Sequence, residues 1–534
     1  MPQEPAHLIK PLPPGFHRNM IIVTTLFISL MASIDLTIVT VALPYMAGNL
    51  NATTDEVTWV VTMFAVGQAI VIGITGHLSR MLGRKVLIMT AVIGFVLSSV
   101  ACGLAQDLDM IVMFRFIQGL FSGPLIPLSQ AMLIDAVEEE ERAKVLAFWV
   151  VGVMGGPALG PMLGGYLAQD LDWRWNFWVN VPVGAVAIIL ILSFVRRTAH
   201  TPMRTDWLGL GFLVAMLSTL QIGLNQGDKL DWFSSHAIVY LFLISFVAAL
   251  IVIGRGIYLG KRHIIDIGLF ADLNFTLCCL VVTAMGSTFL ALMILAPQLF
   301  VDGLGWQAST AGVVIGCYGV GGVTGSFVAG RLQSILSFRI SYILACLVMG
   351  SGWFWFSRLN ENVGMWQAVP PGVLIVFGMM LVFPILAARA FANLSPDKRD
   401  EGAGLFNLTK TLGFSFGTTA VGTLYYNGQL ANWTRNVGEI NPSNPALQQY
   451  LNDLGDNVSY DTKMAYVADL LTSQAQLQTI FEISQYMAFC TYGLAALAIF
   501  FRDPKKESGR GYAGWLDIRP FGRFMGAARY AGSR

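Results

Sequence analysis

Charge is what this chain has least of: Asp, Glu, Lys and Arg together make up 12% of its 534 residues, about half the share found in a soluble domain. That poverty excludes an ordinary water-soluble enzyme. The 33 basic and 32 acidic side chains leave a formal net charge of +1, so there is no basic excess to attract nucleic acid. No Gly-x-x-x-x-Gly-Lys-Ser/Thr segment occurs, and with it goes the phosphate-cradling loop for ATP. The six cysteines, Cys102, Cys278, Cys279, Cys317, Cys346 and Cys490, all fall in apolar stretches without a CxxC pair or a histidine cluster. They give neither a disulfide framework nor a metal site and read as packing residues.

What the chain has in abundance is apolar length. Hydrophobic residues make up 55% of it, its mean hydropathy is +0.62, and a span of about 30 Å of hydrocarbon needs about 20 apolar residues. Fourteen runs qualify: 20–43, 57–76, 86–105, 110–136, 145–168, 177–194, 207–224, 237–257, 275–300, 309–333, 340–356, 368–388, 403–426 and 479–501. They lack the period-two alternation and shorter segments of a membrane β-barrel. The fold class expected is therefore an all-α integral membrane bundle of 14 transmembrane helices.

Residues 1–19 are Pro-rich and polar and lead into a full-length span, which reads as a cytoplasmic N-terminal segment, not a removable signal peptide. With that end inside, 26 of the 33 Lys and Arg fall on inner segments and 5 on outer loops, which places both termini in the cytoplasm. Two polar, basic linkers bracket runs seven and eight. Setting that hairpin aside leaves six runs on either side, the pattern of a repeated six-helix half. The expected division is 20–195 for the first half, 196–260 for linker and hairpin, 261–501 for the second half, and 502–534 for a basic cytoplasmic tail. The loop after run two places Gly76, Leu78 and Leu82 at the same offsets as Gly330, Leu332 and Leu336 after run ten. The outer loop 427–478 reads as a cap, a docking surface or a solvated linker. The tail mixes basic residues with Trp515, Phe521, Phe524 and Tyr530, suited to an anionic inner leaflet or to a disordered tail.

Ionisable groups at membrane depth cost several kcal/mol, so each is a functional candidate. Asp35 lies about 22 Å from the inner surface at about 1.5 Å per residue, and Arg115, on a helix running the other way, about 8 Å below the outer surface. In a core of about 30 Å those depths coincide. The two are expected to face one another, as a static ion pair or as a proton-coupling site. In the second case Asp35 takes up and releases a proton as its separation from Arg115 or its hydration changes. Run five carries Gly152, Gly156, Gly160 and Gly164 at a spacing of four, with Pro157 and Pro161 interleaved and Gly165 following. Such a stripe lets a second helix come close while the prolines permit bending. Lys410 lies near the midplane one turn after Asn407 and reads as a counter-charge for substrate or a partner of backbone carbonyls. Gln68, Gln118 and Gln130 are polar residues that a cavity could use, and Met285 and Phe289 suit a pliable apolar pocket.

Several segments together resemble the fourteen-span drug:proton antiporters of the major facilitator superfamily, most closely the EmrB type. They are Asp35-Leu-Thr-Ile-Val-Thr-Val-Ala-Leu-Pro44, Arg115-Phe-Ile-Gln-Gly119, Gly123-Pro-Leu-Ile-Pro-Leu-Ser-Gln130 and Gly156-Pro-Ala-Leu-Gly-Pro-Met-Leu-Gly-Gly165. Others are Asp172-Trp-Arg-Trp175, Asn180-Val-Pro-Val-Gly184, Leu230-Asp-Trp-Phe-Ser-Ser235 and Asn407-Leu-Thr-Lys-Thr-Leu-Gly413. The resemblance implies the major facilitator fold, two six-helix halves plus an inserted two-helix hairpin. It also implies export of hydrophobic or amphipathic compounds against proton entry across the inner membrane. The proton gradient would be the energy source, with no cofactor, and a periplasmic membrane-fusion adaptor and an outer-membrane channel would be partners. The run-five stripe resembles the antiporter motif, and the loop containing Gly76, Arg80, Gly83 and Arg84 the inner-gate motif. Arg80 stands where that loop motif usually has an acid, so the resemblance supplies no acid for the usual inner-gate salt bridge, and Lys410 stands where Arg is expected. Other readings of the chain are a dedicated exporter of one endogenous metabolite or siderophore, a channel, or an integral-membrane enzyme. Against the enzyme, no His/Asp/Cys constellation lies at membrane depth, and against the channel, no filter ring is visible.

Overall fold

The computed structural model describes residues 13, 15–196, 206–259, 266–395, 398–438, 440, 444–454 and 459–501. The basic tail 502–534 and most of both linkers lie outside the described residues, so the expectations placed on them have no structural counterpart here. Fourteen long helices stand among the described residues. The first six are α1 (Phe16–Asn49), α2 (Trp59–Leu82), α3 (Arg84–Gly103), α4 (Leu108–Ser122, continued by Leu125–Ala136), α5 (Glu139–Tyr166) and α6 (Asn180–Phe194). The hairpin is α7 (Trp207–Gln226) and α8 (His236–Leu259). The remaining six are α9 (Leu273–Pro297), α10 (Ala308–Ile335), α11 (Phe338–Phe356), α12 (Met365–Phe391), α13 (Arg399–Gly438) and α14 (Tyr460–Ala496). Short helices sit at Thr54–Val57, Trp175–Trp178 and Pro445–Asp453.

Twelve of the long helices, some with their short extensions, are long and apolar enough to cross a membrane. The other two, α5 and α13, are placed by packing: α5 lies along α1, and α13 lies between α9, α14 and α2. Helix α13 is the polar one, with Asn407, Lys410 and a run of threonines in place of uniform apolar surface.

The pairing pattern repeats with an offset of eight helices. Contacts α1–α5, α2–α4, α3–α4 and α3–α6 recur as α9–α13, α10–α12, α11–α12 and α11–α14. Between the two groups, α2 meets α13 and α5 meets α10, contacts that the same offset exchanges. Hairpin helix α7 leans on both α2 and α13, while α8 packs mainly on α7. Exposed Val247, Leu250, Ile253 and Ile257 on α8 form the apolar outer face expected towards lipid.

The segment 427–478 is largely helical. Helix α13 continues to Gly438, Pro445–Asp453 forms a separate helix, and α14 begins at Tyr460. The extensions are held by polar pairs, Asn432 Nδ2 to Thr479 Oγ1 at 3.0 Å and Asn436 Nδ2 to Gln478 Oε1 at 3.3 Å. Low hydropathy marks this stretch as outside the bilayer without making it a loop, because polar helices pair well in water.

Candidate functional site

The antiparallel run of α1 and α4 puts Asp35 and Arg115 at one depth. Arg115 Nη1 donates to Asp35 Oδ2 at 2.9 Å, with the two residues 1% and 0% exposed. The other carboxylate oxygen accepts from Gln118 Nε2 at 3.1 Å and Asn180 Nδ2 at 2.7 Å. Gln118 sits one helical turn after Arg115 and returns its Oε1 to Arg115 Nη1 at 2.6 Å. Asn180, from α6, also donates to Ser99 Oγ at 3.0 Å, and Ser99 closes the chain on the Phe177 carbonyl at 2.8 Å. Phe64 lies 4.1 Å from the guanidinium and walls it on α2. Asp35 thus accepts from three donors, one of them the Arg115 guanidinium, in a site closed to bulk solvent.

The glycine stripe of α5 supports this centre from behind. A Cβ added at Gly156 would lie 2.4 Å from Ser33 Cβ and 2.8 Å from Ile34 N, and one at Gly160 would lie 2.1 Å from Thr37 Oγ1. Gly164 meets the Ile38 carbonyl, Gly152 faces Leu26, and Gly165 faces Val41 at ordinary distance. The stripe thus lies against α1 on either side of Asp35, inside one half and not across the interface. Pro157 and Pro161 stand in a helix that runs on as α-helix to Tyr166.

A second cluster closes one end of the bundle. Gly83, at φ 80°, takes the left-handed conformation that turns α2 into α3, and Arg84 opens the next helix. Arg84 is 4% exposed and grips Asp400 of α13 through Nε at 2.9 Å and Nη2 at 2.7 Å. Its Nη1 donates to Asp135 of α4 at 2.6 Å. Asp135 accepts in turn from Arg399 Nη1 at 2.5 Å, and Ser79 Oγ donates to Asp400 at 2.5 Å. Arg80 pairs with Glu401, so three guanidinia and three carboxylates meet where α2, α3 and α4 face the start of α13. At Gly76 an added Cβ would lie 2.4 Å from Glu401 Cα, and the backbones touch there. The loop therefore does form inter-half ion pairs. The acid missing at position 80 is supplied from α13, with the polarity of the pair reversed. Asp135, Asp400, Arg399 and Glu401 escape the sequence reading as site residues, and Asn180 enters it only within a segment of the resemblance. An acid at the end of an apolar run and an Arg-Asp-Glu triplet opening one were the signals available.

The remaining candidates fall in three places. Gln118 belongs to the Asp35 centre, and Gln68 donates to Ser122 Oγ at 3.0 Å within the first half. At the centre of the bundle Asn407 Nδ2 donates to Gln130 Oε1 at 2.6 Å, joining α13 to α4. Near them are Lys410, between the rings of Phe383 and Phe414, and Phe289, 6.1 Å from Phe414. Met285 is 1% exposed one turn before Phe289. Among the described residues no group of His, Cys, Asp and Glu is arranged to hold a metal ion.

The family model described as Major Facilitator Superfamily matches residues 25–418. The chain is 31% identical over 498 residues to "Multidrug export protein EmrB" of Escherichia coli (strain K12), covering 92% of this chain and 97% of the relative. It is 30% identical over 424 residues to "Fatty acid resistance protein FarB" of Neisseria gonorrhoeae, covering 78% of this chain and 83% of that one. In structure it resembles the proton:xylose symporter XylE with a TM-score of 0.55 at 13% identity, over 88% of this chain and 96% of the other. The helix pairing that repeats after eight helices and the match over most of the chain agree, and this polytopic membrane protein belongs to the major facilitator superfamily.

Proposed function

We propose that the protein is a proton-driven multidrug efflux transporter that exports amphipathic and hydrophobic compounds by alternating access. The observation that carries this reading is the Asp35 centre: a carboxylate with 0% exposure whose donors come from two other helices, Arg115 and Gln118 on α4 and Asn180 on α6. A rearrangement of α1 against α4 and α6 changes the number of donors and hence the proton affinity. Each 100 mV of membrane potential contributes about 2.3 kcal/mol per charge moved, and each pH unit about 1.4 kcal/mol. One carboxylate cycling between the two sides therefore supports a large concentration ratio, without a cofactor.

The ion pairs that join α2, α4 and α13 serve as the inner gate in this reading, and the conformation is one closed towards the cytoplasm. Both termini are then cytoplasmic and the membrane is the inner one. The paired extensions of α13 and α14 then project outwards, where a membrane-fusion adaptor leading to an outer-membrane channel would dock. The relatives named for multidrug export and fatty acid resistance support a substrate range of amphipathic organic compounds.

The test is dye efflux from cells that express the full chain in a host lacking its own pumps. Wild-type protein should expel a lipophilic dye in an uncoupler-sensitive manner, and Asp35→Asn, present at equal level in the membrane, should not. Efflux that persists in Asp35→Asn, or that survives collapse of the proton gradient, contradicts the proposal.

A further inference from the structure

Most of the buried charge described above is matched within the protein, Asp35 by Arg115, and Asp135 and Asp400 by Arg84. Lys410 is different. It is 5% exposed, and its Nζ lies 5.5 Å from the centre of the Phe383 ring and 6.0 Å from that of Phe414. Among the described residues it has neither a carboxylate nor a hydrogen-bond acceptor as partner. Contacts with ring faces recover only part of what an uncompensated buried ammonium costs. A group kept at that cost is balanced by something that arrives from outside.

Among the described residues two further buried polar atoms, one on α13 and one on α4, are unpaired. Asn407 Nδ2 donates both to the Ala403 carbonyl, at 2.9 Å, and to Gln130 Oε1, at 2.6 Å. This fixes the orientation of both amides. It leaves Asn407 Oδ1 without a donor and Gln130 Nε2 without an acceptor, on residues 1% and 0% exposed. Lys410 follows Asn407 by one turn on α13, and Gln130 reaches in from α4. The centre therefore offers a cation, an N–H donor and a carbonyl acceptor, backed by the rings of Phe289, Phe383 and Phe414.

We propose that this cluster is the recognition site for amphipathic organic anions. The acidic headgroup, a carboxylate or its equivalent, takes the Lys410 ammonium and the Gln130 amide N–H, and the apolar body lies against the three rings. A lipophilic cation in the same place meets a like charge. Because Lys410 and Gln130 stand on opposite halves, the headgroup bridges the seam and loses one partner when the halves separate. This assignment rests on the efflux reading and narrows its substrate class.

The experiment uses the full chain in lipid nanodiscs and three fluorescent probes with one body: dansyl-aminoundecanoic acid, its methyl ester, and the matching trimethylammonium compound. The acid should bind at least about tenfold tighter than the ester, the scale of one charge-assisted contact in a desolvated site. Lys410→Met should erase that preference while leaving ester binding within about twofold, and Lys410→Arg should keep most of it. Gln130→Leu should weaken the acid alone. An unchanged thermal midpoint in Lys410→Met excludes misfolding, and the Arg variant serves the same purpose. Equal binding of acid and ester by wild type, tighter binding of the ammonium probe, or a uniform loss with all three probes in Lys410→Met would overturn the assignment. In proteoliposomes the two proposals separate. Proton movement evoked by the ammonium probe and not by the acid refutes the anion site and keeps efflux. Lys410-dependent acid binding with no proton movement for any probe refutes the coupling and keeps the anion site.

Discussion

Replacing Arg84 by glutamine should open the end of the bundle that the described conformation holds shut. The side chain is 4% exposed and makes two contacts with Asp400 and one with Asp135. Without it Asp135 keeps Arg399, but among the described residues Asp400 is left with the Ser79 hydroxyl alone. Removing one partner of a buried pair costs about 3–5 kcal/mol. That cost falls on the closed conformation, because once α2 and α13 part both carboxylates meet water. At about 1.4 kcal/mol per decade, even the lower figure moves the closed-to-open equilibrium more than about a hundredfold. The assay is a spin-label distance between Leu82→Cys and Ala392→Cys, exposed positions on the two halves at this end of the bundle. In the Arg84 background the distribution should be short and narrow. In Arg84→Gln a longer distance should dominate, and dye efflux should fall. An unchanged distribution would show that these ion pairs do not hold the gate and would refute the reasoning.

Gly156→Ala should drive α1 and α5 apart, since the new methyl would lie 2.4 Å from Ser33 Cβ. Overpacking of that kind costs about 1–3 kcal/mol, read as a lower thermal midpoint together with slower transport, and wild-type values for both would dismiss the packing role. Arg80→Glu and Glu401→Arg should each abolish transport by setting like charges across the seam. The double exchange should restore it, and failure of that rescue in a stably folded protein would count against a direct pair.

Much of this was legible in the sequence because hydrocarbon imposes simple rules. Apolar length marked the helices, and antiparallel bookkeeping of depth brought Asp35 to Arg115. The spacing of the glycines gave a close-packed helix face but not its partner, since only the tertiary structure shows it lying on α1 beside Asp35. The gate was harder to read. Asp135, Asp400 and Glu401 sit where a span meets its flanks, and there a charge looks like an ordinary interfacial residue until a distant helix is brought against it, as Arg399 is against Asp135 from 264 positions away. The helical extensions at 427–438 and from Tyr460 were hidden for a related reason. Low hydropathy marks exit from the bilayer, and it does not distinguish a loop from a polar helix pair.

The central claim is that Asp35 couples proton entry to export, and the most direct test is reconstitution of the purified chain in liposomes with a trapped pH dye. Addition of an amphipathic substrate should evoke proton movement in wild type, and the Asp35→Asn protein should bind the same substrate yet move no protons. Substrate-evoked proton movement of equal size in Asp35→Asn would contradict the account.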